Sequence, residues 1–388
     1  MSISNVQVHQ VVTAKERMAF IKFPWQLYRN DPFWVPPLIN DRKAMLDPAH
    51  NPSFAHMDVA YFLATVPTTP PAIVGTIAAI INHRHNEFHD EKAGFFGFFE
   101  CADDPAVAQA LLDTAAAWVQ RRGMTVIRGP ANFGSNDEWG MLIKGFDSAP
   151  MVMMTYNPAY YIDLVEGAGF QKAMDLNAYL FDFGENRDLN LLPPKLMRVA
   201  DKVQKRGEVT VRKADMRSFD VEVAHVKAIY MTAWEKNWGF VPMTDPEMDH
   251  LAKQLKQVID PDLVWIAEVA SGPDQGKVVG MGLSLPDVNQ VLKRMNGHVN
   301  PITIVKALWY QRKIDAARTL LLGVVPEYRG RGVDALLMAE TARAATTKGI
   351  RYGEMSWILE NNEAMNRIAV MLGAALYKQY RIYEKAIA

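Results

Sequence analysis

Residues 319–338 read TLLLGVVPEYRGRGVDALLM, and this stretch decides the fold that we expect for the chain. The apolar run before Pro326 has the length of a strand, and Pro326 is expected to end its pairing because proline has no N–H to donate. A loop with two glycines and two arginines follows, and Val333, Leu336 and Leu337 then recur at helical spacing. A strand, a glycine-rich loop and a helix start expose backbone N–H groups at the positive end of a helix, which favours anions. The stretch therefore predicts an anion-binding turn, with an ordinary strand-to-helix turn as the alternative.

Composition limits the class of protein. The chain has 388 residues, of which 49% are apolar and 22% charged, and this is typical of a globular protein with two domains. The net charge of −1 favours neither nucleic acid nor an anionic membrane as a partner. Cys101 is the only cysteine, which excludes an intrachain disulfide and suits a reducing compartment. A polar start and the lack of a membrane-spanning apolar run predict a cytoplasmic location.

The same order of secondary structure is predicted twice along the chain. Strand patterns and helix start and stop signals recur in both halves, which favours a duplicated α/β unit over two unrelated domains. The predicted elements are a helix at 13–29 capped by Thr13 and Glu16, an extended, irregular arm at 31–52, strands at 60–66, 73–81, 94–101 and 125–128 with a helix from Asp104 to Arg122, and, in the second half, strands at 263–269, 277–285, 319–325 and 351–357 with a helix at 333–348.

An asparagine is expected to open a further helix in each half. Gly123 precedes Asn157 by 34 residues, whereas Gly349 precedes Asn362 by 13, so the first half carries an insertion between these points. The predicted organisation is a first domain at 1–185 with an inserted loop at 129–154, a polar connector at 186–208, and a second domain at 209–388.

The second half resembles the GNAT superfamily of acyl-CoA-dependent N-acyltransferases. The resemblance lies in a strand that ends in Val-x-Pro-x-Tyr-Arg-Gly-x-Gly, followed by a helix, a strand and the helix opened by Asn362. Two copies of this unit make the chain similar to a tandem GNAT protein. The resemblance implies an α/β fold with two domains, each a twisted mixed sheet flanked by helices, and an acyl donor whose pantetheine lies between splayed central strands. The implied donor-binding residues are Val324, Val325, Arg329, Gly330, Arg331, Gly332, Val333 and Asn362.

The resemblance implies an acyl-CoA-dependent N-acyltransferase, in the first instance an N-acetyltransferase, acting on a primary amine of a small molecule or peptide. Acetyl-CoA or another acyl-CoA is the expected co-substrate, and no metal is expected. One alternative is a catalytically silent tandem GNAT protein that senses a small molecule or scaffolds a partner. A second is an N-acyl amino acid synthase that takes its acyl group from acyl-carrier protein.

Two positions depart from the family pattern. Asp334 stands where the loop usually ends in a small residue, and a carboxylate about 4 Å from a phosphate would repel it by roughly 1 kcal/mol in water. Capping of the helix start is the alternative role for Asp334. Ala369 stands where family members often place a tyrosine as general acid.

Three residues are candidates for acid–base chemistry. Asp287, at the end of the strand before the donor strand, is the candidate base, with a turn role as the alternative. Glu354 is the second candidate base. Tyr380, in a stretch that alternates like a strand, is the candidate acid, with core packing as the alternative.

The insertion in the first half has no donor loop and mixes amide, acidic and aromatic residues. Long irregular loops of this composition usually lie at functional sites, so we expect an acceptor pocket that faces the donor cleft of the second half. A structural loop whose polar groups bond to one another is the alternative. His83, His85 and His89 have no ligand-spaced acidic or cysteine partner, and a solvated hairpin is expected there. The candidate acceptor-binding residues are Asn132, Asn136, Glu138, Tyr156, Asn157, Tyr160 and Asn289.

Overall fold

The computed structural model describes residues 5–235 and 237–387, which form two compact units. The first unit contains the described residues up to Leu176, the segment Leu292–Ala307 and the residues from Lys378 onward. The second unit contains Asn177–Val291 and Leu308–Tyr377. Most of the last strand of the chain therefore belongs to the first unit.

The first half of the chain begins with the capping box that the sequence predicts. The Thr13 hydroxyl accepts the N–H of Glu16 at 3.1 Å, and the Glu16 carboxylate accepts the N–H of Thr13 at 2.9 Å. The elements of this half are β1 (Gln7–Gln10), α1 (Ala14–Leu27), α2 (Ile39–Met45), β2 (Met57–Val66), β3 (Ala72–Asn82), α3 (His83–His89), β4 (Ala93–Cys101), α4 (Pro105–Gln120), β5 (Val126–Gly129), β6 (Ala131–Asn132), β7 (Glu138–Trp139), β8 (Met141–Lys144), α5 (Tyr161–Gly167) and β9 (Gln171–Asp182).

The second half repeats this order after a connecting helix. As predicted, Pro326 follows the end of a strand, and Asn362 opens a helix by accepting the N–H of Met365 at 3.2 Å. The elements are α6 (Pro194–Arg206), β10 (Val209–Lys213), α7 (Phe219–Ala233), α8 (Asp245–Leu255), β11 (Val264–Val269), β12 (Val278–Pro286), α9 (Asn289–Met295), α10 (Pro301–Tyr310), β13 (Ala316–Val324), α11 (Val333–Thr347), β14 (Tyr352–Leu359), α12 (Glu363–Met371) and β15 (Ala375–Ala386).

The sheet of the first unit is mixed. Strands β1 to β4 are antiparallel neighbours, and β5 pairs with β4 in the parallel direction. The last strand, β15, then pairs antiparallel with β5, with Tyr383 opposite Gly129, and also with β8. The side chains of Tyr380, Ile382 and Tyr383 are fully buried in this arrangement. Strand β15 is therefore part of the core of the first unit.

The sheet of the second unit has the same order. Strands β10 to β13 are antiparallel neighbours, and β14 pairs with β13 in the parallel direction. In both units, three antiparallel strands are thus followed by a helix and a parallel strand. This confirms the predicted α/β class with mixed sheets flanked by helices.

Helix α4 shows how the helices cover these sheets. Its buried residues Val107, Leu111, Ala115 and Val119 recur every four positions and so form one face. Helix α11 buries Val333, Leu336 and Leu337, as the sequence predicts, together with three alanines at positions 339, 342 and 345. Burial of each large side chain stabilises the fold by about 1.5–3 kcal/mol.

Three local expectations were wrong. The arm at 31–52 is not wholly irregular, because it contains α2, whose start has no side-chain cap that the sequence could have shown. The polar stretch after β3 is helix α3 rather than a hairpin, because Asn82 caps it by accepting the N–H of His85 at 3.1 Å. Asn157 does not open a helix, since the N-cap of α5 is Tyr160.

Helix α6, within the predicted connector, packs against α11. Ala200 and Val203 of α6 form a buried cluster with Leu336 and Ala339 of α11. The contact reaches the start of α11 at Gly332, whose φ is +85°. A Cβ atom there would lie 2.7 Å from Val199 and 2.9 Å from Val203. Gly332 is therefore required both by its backbone conformation and by the approach of α6.

We expect Gly332→Ala to lower the free energy of unfolding more than Gly330→Ala, its matched control. Gly330 also has a positive φ, of +72°, but no atom lies within 4 Å of the point where an added methyl group would stand. Both substitutions introduce backbone strain of about 1–2 kcal/mol, whereas only Gly332→Ala adds an overpacking cost of roughly 1–3 kcal/mol. Urea denaturation followed by tryptophan fluorescence measures the difference. Equal losses would show that α6 does not pack tightly on this turn.

Candidate functional site

The predicted anion-binding turn lies between β13 and α11. Val324 ends β13, Pro326–Tyr328 forms one turn of 3-10 helix, and Gly332 is the N-cap of α11. Gly330 and Gly332 both have left-handed backbone. A glycine cannot cap the first N–H groups of a helix, and these are the groups that bind phosphates at helix starts. The turn thus has the backbone geometry that donor binding needs.

The two arginines of the turn have different environments. Arg329 donates from Nε to the Val324 carbonyl at 3.1 Å and from Nη2 to the Ala233 carbonyl at 3.3 Å. Its guanidinium therefore holds the turn against the end of α7. The Arg331 guanidinium lies over the ring of Tyr328, 4.7 Å from its centre, on the exposed side of the turn. Arg331 is thus the arginine better placed for a phosphate.

Asp334 is the second residue of α11. The N-cap is Gly332, so the alternative in which Asp334 caps the helix is wrong. Its carboxylate is partly exposed and lies in the first turn, where the helix dipole favours a negative charge. Asp334 therefore has a local electrostatic role and competes for the same positive helix end as a phosphate would.

Strands β13 and β14 diverge next to this turn. They are paired from Ala316 opposite Tyr352 to Thr319 opposite Met355, and the recorded pairing goes no further. The register of β13 with β12 shifts at the same level, so that Leu320 is bulged out of the ladder. An opening therefore begins between the two parallel strands beyond Thr319. This is the splay that the family resemblance implies for the pantetheine of the donor.

Glu354 lies at the closed end of this opening. It is fully buried and stands opposite Arg318 in the parallel register, with Arg318 Nε 3.5 Å from its Oε1. The Tyr377 hydroxyl donates to Glu354, and the Ser356 hydroxyl donates to it at 2.6 Å. Arg318 Nε also donates to Ser356 Oγ at 2.9 Å. Glu354 is thus held by a cation and two hydroxyls, an arrangement that sequence reasoning missed because the four residues come from three strands.

The three candidate acid–base residues are divided between the units. Asp287 directly follows β12 in the second unit and is 6% exposed, and its N–H donates to the Ala316 carbonyl at 2.9 Å. Glu354 lies in the same unit. Tyr380 is fully buried in the first unit, opposite Leu142 of β8. Ala369, where the family has a tyrosine, is fully buried in the core of the second unit.

Within the insertion, the structure brings Asn132 and Glu138 together as partners in the β6–β7 pair. The Asn132 amide donates to Glu138 Oε2 at 2.5 Å, and the Arg42 guanidinium pairs with Oε1 of the same carboxylate. Burial raises the pKa of Glu138, but the charge of Arg42 and the two hydrogen bonds outweigh it and leave the pKa below its ordinary value. The carboxylate is therefore ionised and fixed in position.

The start of the insertion packs against β4 in the first unit. The β4–β5 pairing ends at Phe95 opposite Arg128, and Phe98 is bulged with a φ of +47°. Asn132 Oδ1 accepts the N–H of Phe98 at 2.6 Å. A Cβ atom on Gly97 would lie 2.0 Å from the Ala131 carbonyl oxygen. Beside the bulge of this unit, the insertion itself therefore bonds to β4.

The remaining candidate acceptor residues lie apart from this pair. The Tyr156 hydroxyl donates to Asp31 at 2.8 Å, and the Tyr160 hydroxyl donates to the Cys101 carbonyl at 2.8 Å. Asn157 is buried and bonds to both backbone groups of Leu142, at 2.7 and 3.1 Å. These bonds give Tyr160 and Asn157 a structural role in the first unit. Asn136 lies in the turn between β6 and β7, and Asn289 begins α9.

A second buried carboxylate, Glu100 at the end of β4, was missed as a candidate. The Tyr28 and Tyr161 hydroxyls donate to its Oε2 at 2.7 and 2.8 Å. Burial raises the pKa of Glu100 to about 7 against the effect of these two hydrogen bonds. A carboxyl group that titrates near neutrality is unusual and marks a candidate acid or base. Its tyrosine partners are 72 and 61 positions away, so no local motif shows it.

Comparison with known sequences covers the whole chain. A scan against models of protein families found no match. A bacterial ceramide synthase from Caulobacter vibrioides is 37% identical over 99% of this chain and 98% of its own length. Protein YghO from Escherichia coli K12 is 37% identical over 98% of this chain and 95% of its own. The chain belongs to this family.

Members of the bacterial ceramide synthase and YghO family can now be placed in a fold. A tandem GNAT protein from the clavulanic acid biosynthesis pathway matches 99% of both chains with a TM-score of 0.58 at 11% identity. A GCN5-related N-acetyltransferase from Sphaerobacter thermophilus matches 100% of this chain and 97% of its own with a TM-score of 0.54 at 13% identity. These likenesses confirm the tandem GNAT fold. Family and fold together support an acyltransferase with an amine-bearing acceptor and an acyl-CoA co-substrate.

Two searches of the described residues concern other partners. No described helix of this family member is both long and apolar enough to cross a bilayer. Among residues 5–235 and 237–387, no group of three or more histidine, cysteine, aspartate and glutamate side chains is arranged to hold a metal ion.

We expect Arg318→Met to destabilise the protein by about 3–5 kcal/mol, because it leaves the buried Glu354 carboxylate without its cation. The double variant Arg318→Met with Glu354→Met should recover most of this loss, since it replaces the ion pair by apolar side chains. Urea denaturation of the four proteins in this cycle measures the coupling. A double variant as unstable as the single one would contradict the ion-pair interpretation.

The raised pKa of Glu100 predicts a stability that falls as pH rises. Between the ordinary value of 4.5 and about 7, the folded protein keeps a proton that the unfolded chain has released. The free energy of unfolding should therefore decrease by up to ~3 kcal/mol across this window, and Glu100→Gln should remove the decrease. Unfolding in urea at several pH values measures it. Tyr28→Phe, which removes a donor to the ionised form, should make the decrease larger; an unchanged pH dependence in both variants would refute the assignment.

Proposed function

We propose that the chain is an acyl-CoA-dependent N-acyltransferase whose acceptor is the primary amine of a long-chain amino alcohol. The observation that carries the reaction class is the donor turn of the second unit, with its two left-handed glycines, beside the opening between β13 and β14. The acceptor class is supported by the full-length relative that is named a ceramide synthase. A ceramide is the amide of a fatty acid with a long-chain amino alcohol.

The donor would bind through the residues of the turn. The N–H groups at the start of α11 and the guanidinium of Arg331 supply the positive environment for the pyrophosphate. The β13 segment that diverges from β14 reads LLLGV at 320–324, so it offers an apolar surface to the pantetheine and the acyl chain. Val324, Val325, Val333 and Asn362 remain donor-binding proposals on the family pattern.

The reaction needs one proton acceptor. The neutral amine attacks the thioester carbonyl, a C–N bond forms, the C–S bond breaks, and the electron pair leaves with the sulfur of coenzyme A. The nitrogen loses one proton to a base and the thiolate gains one. Asp287 is the proposed base because it lies at the end of β12, next in the sheet to the donor strand. Glu354, held by Arg318 and two hydroxyls, would orient β13 and β14, and Tyr380 remains a proposed acid.

For the acceptor, the proposal keeps the insertion of the first unit. Glu138 is an ionised carboxylate fixed by Arg42 and Asn132, and such a group can bind an ammonium ion. Asn136 and Tyr156 are proposed to lie near it, and Asn289 is the candidate in the second unit. Deletion of 133–149 tests the idea: turnover should be lost while binding of acyl-CoA remains.

We expect Arg331→Ala to weaken acyl-CoA binding about tenfold without lowering the melting temperature, because a single exposed charge is removed. Arg329→Ala is the contrasting variant: it should lower the melting temperature, since Arg329 holds two backbone carbonyls. Asp334→Asn should strengthen binding by several-fold, as the removed charge is worth roughly 1 kcal/mol in water. Isothermal titration with coenzyme A and palmitoyl-CoA measures all three, and pantetheine, which lacks the pyrophosphate, should not distinguish them.

A turnover assay separates this proposal from its alternatives. Purified protein with palmitoyl-CoA and sphinganine should release coenzyme A and form an N-acyl product, whereas acetyl-CoA tests the short-chain version of the function. Binding of acyl-CoA without turnover of any amine would favour the silent sensor or scaffold. Turnover that occurs only with acyl-carrier protein would favour the acyl-carrier-dependent synthase.

Asp287→Asn is expected to lower kcat by about 10²–10⁴-fold, the usual contribution of a general base. It should also remove the acidic limb of the pH–rate profile while leaving palmitoyl-CoA binding unchanged. Glu354→Gln is the comparison, because it keeps the shape of a group that is proposed to position the strands. An unchanged profile in Asp287→Asn would exclude this residue as the base.

A further inference from the structure

Helix α10 presents an apolar face to solvent. Its exposed side chains include Ile302 at 69%, Val305 at 67%, Leu308 at 61% and Trp309 at 52% of their full accessible area. Amphipathic helices of globular proteins normally bury such a face and expose a polar one. Clusters of exposed large apolar side chains mark contact surfaces, whereas single ones need no explanation.

The orientation of α10 is fixed by its other face. Asn300 caps the helix start by accepting the N–H groups of Ile302 and Thr303 at 3.0 Å each. Thr303 is buried, and its hydroxyl donates to the His298 carbonyl at 2.9 Å. At 100° per residue, Thr303 and Ala307 fall on one side of the helix and Ile304, Val305 and Leu308 on the other. The apolar face is therefore turned outward by a capped and anchored helix.

The charges around this helix are all positive. The stretch 288–314 contains five lysine and arginine residues and no aspartate or glutamate, although the whole chain has a net charge of −1. Lys306, Arg312 and Lys313 are exposed and form no salt bridge within the described part of the chain. Lys313 Nζ lies 3.6 Å from the centre of the Trp309 ring, so a cation and an indole occur together at the end of the apolar face.

We propose that α10 is a docking helix for an anionic phospholipid surface. Apolar side chains opposite an anchored face, an indole at the helix end and exposed cations on and beyond the helix are the features of a helix that lies in the membrane interface. Charge complementarity selects this occupant: a second copy of the chain would bring the same five cations against themselves. The inference departs from the expectation of no membrane partner, which rested on the net charge of the whole chain.

The position of α10 in the chain links docking to the candidate site. The segment with α9 and α10 leaves the sheet of the second unit at Asp287, and it returns at Ala316. The hydrogen bond from the Asp287 N–H to the Ala316 carbonyl closes its base. A bilayer bound by α10 would thus be tethered close in sequence to the proposed base and the donor strand. This last step rests on the proposed function, whereas the docking itself does not.

Flotation of the full-length protein with vesicles tests the proposal in the absence of any substrate. Wild-type protein should float with vesicles of equimolar phosphatidylcholine and phosphatidylglycerol, and high salt should weaken this binding. Ile302→Ser, Val305→Ser and Leu308→Ser combined should reduce the bound fraction at least tenfold. The matched control changes three exposed apolar residues elsewhere, Val12, Leu191 and Val221, to serine and should bind as wild type does.

A second variant separates the two contributions to docking. Lys306→Gln, Arg312→Gln and Lys313→Gln combined should lose the preference for anionic vesicles over pure phosphatidylcholine. No flotation of the wild-type protein, or equal flotation of the apolar variant, would overturn the proposal. Self-association that the apolar variant abolishes, measured by light scattering, would assign α10 to a dimer contact instead. Failure of the turnover assay with intact vesicle binding would refute the proposed function and leave the docking helix standing.

Discussion

The structure depends on a constraint that arises where two parallel strands part. When β13 and β14 diverge beyond Thr319 and Met355, backbone groups on both strands lose their ladder partners, and unpaired buried backbone is costly. The first unit has the same divergence after Phe95 and meets the constraint from within the chain, because Asn132 accepts the Phe98 N–H. In the second unit we assign this position to the acyl donor. One duplicated unit has thus become a scaffold for an insertion, and the other is proposed to keep the substrate.

Much of the fold could be predicted because its signals are local. The capping box of Thr13, the proline that follows β13 and the Asn362 cap are each set within a few residues, and each occurs as expected. The spacing of Leu336 and Leu337 likewise predicts the buried face of α11. Where local signals were absent or misread, as at the uncapped start of α2 and at Asn157, the expectation failed.

The chemistry of the candidate site was harder to predict, since it depends on contacts over long sequence distances. Arg318 faces Glu354 across a strand pair, and the Tyr28 hydroxyl reaches Glu100 from 72 positions away, so neither contact has a sequence signature. The donor turn was predictable because its glycines and arginines are contiguous, but the division of labour between Arg329 and Arg331 emerges only from their contacts. Net charge was misleading in the same way, because a local excess of cations vanishes in the average over the chain.

The place of β15 in the first unit has a consequence for biosynthesis. Strand β5 has its second neighbour only in β15, and the buried Tyr380, Ile382 and Tyr383 complete the core that β2 to β5 begin. At typical elongation rates, the residues from Leu176 to Lys378 take on the order of tens of seconds to synthesise. During that time the nascent first unit would have an open sheet edge of the kind that promotes aggregation. The chain order therefore predicts that ribosome-bound intermediates depend on protection by chaperones until the last strand emerges.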